Sequence, residues 1–102
     1  MNEHPPNPVF STPASLWNGT NQLLGNLELW ETAVIFRLAD FQESHLNLTI
    51  PLANIEKVEA YLVFNLAKNG LRIQDKEGRY DLFVLDDVRG FKKVLLERLD
   101  LI

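Results

Sequence analysis

The feature that most constrains this chain is a change of apolar period. From Ser15 to Leu85, apolar residues alternate with polar ones in short runs. Beyond Asp86 they recur at spacings of three and four. A period of two places side chains on one face of a strand, and a period near 3.6 places them on one stripe of a helix. The chain therefore has to bury several half-apolar strands and one amphipathic helix in a common core.

The runs predict seven strands. Residues 15–17 form a short first strand, followed by the polar loop 18–22. A second strand covers 23–30, with Gly25 as a bulge or bend. The third covers 33–39, with Val34, Phe36 and Leu38 inward and Ile35 and Arg37 outward. Residues 40–45 form a loop. Residues 46–52 alternate Leu46, Leu48, Ile50 and Leu52 on one face, and Pro51 places this strand at its end or at a sheet edge. In 53–64, Val58, Ala60, Leu62 and Phe64 share one face. Asn69-Gly70 then marks a turn. Residues 71–75 pair with 79–85 across the short loop Lys76-Glu77-Gly78. Asp86 or Asp87 caps a helix whose apolar stripe is Val88, Phe91, Leu95, Leu99 and Ile102, with Lys92, Lys93 and Glu97 on its polar face. Gly90 lowers the helix propensity without breaking the stripe. Alternating strands of this number bury their faces together in a bent, partly open barrel, which the helix closes.

At 102 residues the chain reads as one domain. Residues 1–14 hold four of the five prolines and read as a flexible tail, with the domain proper at 15–102. The start has neither the basic nor the apolar region of a secretory signal, and no run approaches the roughly 20 apolar residues of a membrane span. The absence of cysteine removes disulfide and thiolate chemistry and fits a reducing, cytoplasmic setting.

The formal net charge of −4 argues against a nucleic-acid binder that works by general phosphate attraction. That charge is unevenly spread. Residues 1–56 contain one basic residue, Arg37, against six acids, whereas 57–102 contain nine basic residues against eight acids. Any anion-attracting surface is therefore expected from the second half.

The stretch "GNLELWETAVIF" (25–36) resembles a run found in the GRAM domain, of the pleckstrin-homology-like superfamily. "LTIPLANIEKVE" (48–59) is similar to that family's apolar-x-Ile-Pro-Leu-x-x-Ile-x-x-Val segment. "NGLRIQDKEGRYDLFVLDD" (69–87) resembles its last hairpin before the closing helix. The likeness covers about residues 15–102. It implies a seven-stranded bent barrel capped by a C-terminal helix, and a non-catalytic recognition domain acting on a membrane-associated partner or an anionic lipid, peripheral to a membrane. Pleckstrin-homology domains that bind phosphoinositides usually place Lys and Arg on the first two strands and their connecting loop, and residues 15–30 contain none. That favours the alternative, a protein-interaction or self-assembly module without lipid.

Two groups of side chains are candidate sites. Lys68, Arg72, Lys76 and Arg79 form a basic cluster on the last hairpin and the preceding turn. It is read either as a weak site for an anion or as a solvated face balanced by Asp75, Glu77 and Asp81. Arg72 and Arg79 are expected near each other across the hairpin. Trp30, Trp17, Tyr61 and Phe41 form an aromatic group suited to a protein interface. Trp30 stands out of phase with Leu27 and Leu29, which puts it on the outer face. His4 and His45 lack the spacing of a metal site, and Glu43-Ser44-His45 are mere sequence neighbours, so neither catalysis, a cofactor nor a metal is expected.

Overall fold

The computed structural model describes residues 7–18, 21–39, 47–63 and 67–101. They form β1 (Phe10–Asn18), β2 (Asn21–Leu29), β3 (Ala33–Leu38), β4 (Leu48–Pro51), β5 (Ile55–Val63), β6 (Ala67–Asp75), β7 (Tyr80–Val84) and helix α1 (Val88–Leu99), with a single 3-10 turn at Leu52–Asn54. All strands join one antiparallel sheet in the order β4-β3-β2-β1-β7-β6-β5, which leaves β4 and β5 at the edges.

The sheet curls on itself. Phe36 of β3 and Phe83 of β7 are separated by two intervening strands, yet their ring centroids lie 5.7 Å apart. In a flat sheet three strand spacings would hold them about 14 Å apart. The curl brings one face of every strand inward. Leu27, Leu29, Val34, Phe36, Leu71, Ile73 and Phe83 are all at most 1% exposed. Helix α1 adds Val88, Phe91 and Leu95 to this core, and Phe91 meets Phe10 edge-on at 5.6 Å. The Arg98 guanidinium donates to the Glu31 carbonyl at 3.4 Å, tying the last helical turn to the β2–β3 turn.

Several expectations hold. The seven strands and the helix are present, and β4 is an edge strand ending at Pro51. The β6–β7 loop is a tight turn in which the Gly78 N–H reaches the Asp75 carbonyl (3.1 Å) and Gly78 has φ 92°. That left-handed value suits glycine and gives the three-residue hairpin its shape. Asp87, rather than Asp86, is the helix cap: its Oδ1 accepts from the Gly90 N–H at 3.0 Å. A Cβ on residue 90 would lie 2.2 Å from the Asp87 carboxylate, so Gly90 makes room for its own cap.

Others need correction. The first strand starts at Phe10, not Ser15: residues 10–14 pair with 29–25 of β2, and Ala14 is buried. Part of the segment read as a tail is thus sheet, and residues 1–6 lie outside the described residues. Asn69-Gly70 is not a turn. Gly70 is buried inside β6, opposite Tyr61 on one side and Val84 on the other. Long-range pairing on both edges overrides the local turn preference. Gly25 marks no register shift, since Ala14, Gly25 and Leu38 align directly. It is there because β3 approaches too closely for a side chain: a Cβ would lie 2.2 Å from the Arg37 carbonyl oxygen. Ile102 and residues 40–46, which include the loop expected at 40–45, lie outside the described residues.

Candidate functional site

The outer face of β5, β6 and β7 carries part of the basic cluster. Register places Glu59 and Leu82 on either side of Arg72, and Gln74 beside Tyr80. These positions share the face turned away from Leu71 and Ile73, as the alternation of β6 requires. Arg72 donates to Glu59 Oε1 at 3.1 Å, and its guanidinium stands 4.2 Å from the centroid of the Tyr80 ring. A carboxylate on one side and an aromatic face on the other thus hold the cation.

Arg79 is not its neighbour. Leu82, not Arg79, opposes Arg72, and Arg79 lies at the hairpin end, where it meets Asp75 at 3.5 Å and Glu77 at 2.9 Å. Lys76 is exposed in the same loop, and its N–H donates to the Asn54 carbonyl. The backbone places Lys68 in β6, with its side chain outside the described residues. The arginines of the expected cluster are therefore apart, and each is paired with an acid.

Asp81 does not balance this face. It opposes Ile73 in the inward phase and lines a cleft of about 640 Å³ with Ile50, Pro51, Asp75 and Arg79, where β4 faces the β6–β7 hairpin. Burial, reinforced by the Asp75 charge and opposed by Arg79, raises the Asp81 carboxyl above its ordinary pKa. Asp75 is committed to the turn: its Oδ1 accepts from the N–H groups of Glu77 and Arg79, both at 2.9 Å.

Trp30 lies on the outer face, as its phase requires. It is half-buried, and its Nε1 donates to Glu28 Oε1 at 2.9 Å. The same oxygen accepts from Arg37 Nε at 2.9 Å, and the Asn26 amide reaches the other oxygen at 3.4 Å. Glu28 is only 12% exposed and is the hub that holds Trp30 and Arg37 against the β2–β3 surface. Trp17 is half-buried on the outer face of β1, opposite Leu82 and Gln22, too far along the sheet to join Trp30 in one patch. Tyr61 belongs to β5 by its backbone, its side chain lying outside the described residues, as does Phe41 entirely.

One group escaped the reading of the basic cluster. Arg89, Lys92 and Lys93 recur at i, i+3 and i+4 on α1, a spacing that puts them on one face. No ion pair engages them among the described residues. The helical spacing of three and four in the sequence carries that signal. No group of three or more metal-ligating side chains occurs among the described residues, and no helix there is long and apolar enough to cross a membrane.

No family model and no curated protein matches the sequence. Among solved structures, the C-terminal domain of an unknown protein from Leishmania infantum aligns with a TM-score of 0.79 at 9% identity, over 92% of this chain and 84% of that one. The Vps36 N-terminal PH domain aligns with a TM-score of 0.75 at 14% identity, over 98% of this chain and 83% of that one. The order of seven antiparallel strands, the curl and the closing helix agree with that likeness: the chain has the pleckstrin-homology-like fold.

Proposed function

We propose that this chain is a non-catalytic recognition domain that engages a protein partner through its sheet surface. One observation carries the reading. The arginines of the sheet and its last hairpin are neutralised where they stand, Arg37 by Glu28, Arg72 by Glu59 and Arg79 by Asp75 and Glu77. A polyphosphorylated headgroup needs donors not already held by carboxylates. Mixed, paired charge beside aromatic rings, the half-buried Trp30 and the exposed Tyr80, suits the polar and aromatic make-up of a protein interface instead. Membership of the GRAM group and a cytoplasmic setting belong to this proposal and rest on the sequence resemblance and on the absence of cysteine.

A second reading has its own observation. Arg89, Lys92 and Lys93 form a basic face on α1 that no ion pair engages among the described residues, suited to an anionic membrane surface or a membrane-associated partner. Flotation with vesicles containing anionic lipid, over a salt series, separates the two. The protein reading expects no flotation at low salt. Flotation that disappears with added salt and in an Arg89→Ala/Lys93→Ala variant would refute it in favour of the membrane. Flotation lost instead in Arg72→Ala/Arg79→Ala would return the anion site to the hairpin.

A further inference from the structure

We infer that the free edge of β5 pairs antiparallel with β5 of a second copy, about a two-fold axis at Val58. The inference rests on the protein-recognition reading and names the partner as the chain itself.

The two sheet edges differ. β4 has four residues and ends at Pro51, which has no N–H to offer. β5 has nine residues and no proline, and Glu56, Lys57, Glu59 and Ala60 are exposed along it. Hydrogen-bonding direction alternates along an antiparallel strand. The Asp75 N–H donates to Arg79 on the β7 side, whereas the Lys76 N–H donates to Asn54 on the β5 side. Counting back along β6, Arg72 and Gln74 turn their backbone groups to β5, where Glu59 and Lys57 oppose them. The N–H and C=O of Val58 and Ala60 therefore face the open edge. Such groups form a pairing template.

The side chains select the register. An axis at Val58 lets the two Val58 residues exchange both backbone hydrogen bonds. It places Lys57 opposite Glu59 of the second copy, twice, in the closely spaced non-hydrogen-bonded positions where cross-strand side chains interact best. Among the described residues no ion pair engages Lys57, so it brings a free cation. Axes at Lys57 or Glu59 would also use the outward backbone groups, but they would set like charges face to face in a closely spaced non-hydrogen-bonded pair. An axis at Ala60 pairs Glu59 with Tyr61 and makes no charge pair. Register shifts between Ile55 and Lys57 and between Tyr61 and Val63 bound the regular run, so the pairing is short and depends on concentration.

Analytical ultracentrifugation of the full chain over a range of concentrations, at low and high salt, tests this. The expected result is a monomer–dimer equilibrium that weakens with salt. Lys57→Glu and Glu59→Lys should each raise the dissociation constant by about tenfold or more. Their equimolar mixture should recover association, because both opposed pairs are then restored. Val58→Pro, which removes an outward N–H, should abolish the dimer. Thermal melting checks that each variant is folded, which matters for Glu59→Lys because it also removes the partner of Arg72. A chain that stays monomeric throughout at low salt overturns the inference, as does a dimer indifferent to both charge reversals. A monomer that does not float with anionic vesicles overturns only the self-pairing and leaves another protein as partner. A monomer that does float overturns both readings.

Discussion

Replacing Gly25 with alanine puts a methyl group in place of a hydrogen where β3 packs close against β2. The added Cβ would sit 2.2 Å from the Arg37 carbonyl oxygen, 2.7 Å from Phe36 Cζ and 3.0 Å from the Arg37 carbonyl carbon. Two of these three atoms are backbone, and they belong to the ladder that pairs Gly25 with Leu38 and Asn26 with Arg37. A rotamer change cannot relieve them, so the strands must part. Overpacking of this kind costs about 1–3 kcal/mol. Alanine offsets some of this, because it lowers the entropy of the unfolded chain by roughly 0.4–1 kcal/mol. The net expectation is a loss of about 1–2 kcal/mol, which for a domain near 100 residues lowers Tm by roughly 5–15 °C. Urea denaturation and thermal melting measure it. Shortening the ring, with Phe36→Leu in the Gly25→Ala background, should bring no rescue, because the nearest atom is the carbonyl. A Gly25→Ala protein within about 0.5 kcal/mol of the parent, the usual range of an inconsequential substitution, would refute the close-approach argument. So would a rescue by Phe36→Leu.

Two further predictions concern charges near the helix and the cleft. Asp81 has a raised pKa in the folded state, so its contribution to stability is fully present below the ordinary carboxylate pKa and is lost as pH rises through the folded value. Asp81→Asn should therefore stabilise the protein at neutral pH and converge with the parent in acid. Denaturation midpoints across a pH series test this, and a variant less stable at neutral pH would contradict it. Asp87→Ala should cost about 1 kcal/mol through loss of the cap. Gly90→Ala alone should be nearly neutral, because a helix-propensity gain of about 1 kcal/mol is offset by displacement of the Asp87 carboxylate. In the Asp87→Ala background the same change should recover that gain, so the double-mutant cycle should show coupling; additive effects would be evidence against the packing of Gly90 on its cap.

Much of the fold follows from period alone. The inward set Val34 and Phe36 on β3, Leu71 and Ile73 on β6, and the stripe Val88, Phe91 and Leu95 on α1 were all legible, because a face that must be buried imprints itself on the chain at period 2 or 3.6. The outward phase of Trp30 was legible for the same reason. Local chemistry also sufficed for the hairpin turn at Gly78 and for a cap at one of two adjacent aspartates. The signals that misled were local ones. Asn69-Gly70 has the composition of a turn, and the proline-bearing segment before Ser15 has the composition of a loose end. Asn69-Gly70 and residues 10–14 of that segment are strand because neighbouring strands pair with their backbone.

The site shows the same division. Sequence alone identified which residues carry charge and which alternate outward. It did not determine which charges meet. Nothing in the sequence singles out Glu28, yet it is the anchor of Trp30 and Arg37 across β2 and β3. Arg72 and Arg79 looked like a pair, and register separates them and gives each its own carboxylate. Asp81 looked like a surface counter-charge, and the inward phase of β7 carries it into the cleft. Alternation is a property of one strand and is written in its residues. Register and curl are properties of strand pairs, fixed by long-range contacts such as that of Phe36 with Phe83, and only the folded chain decides them.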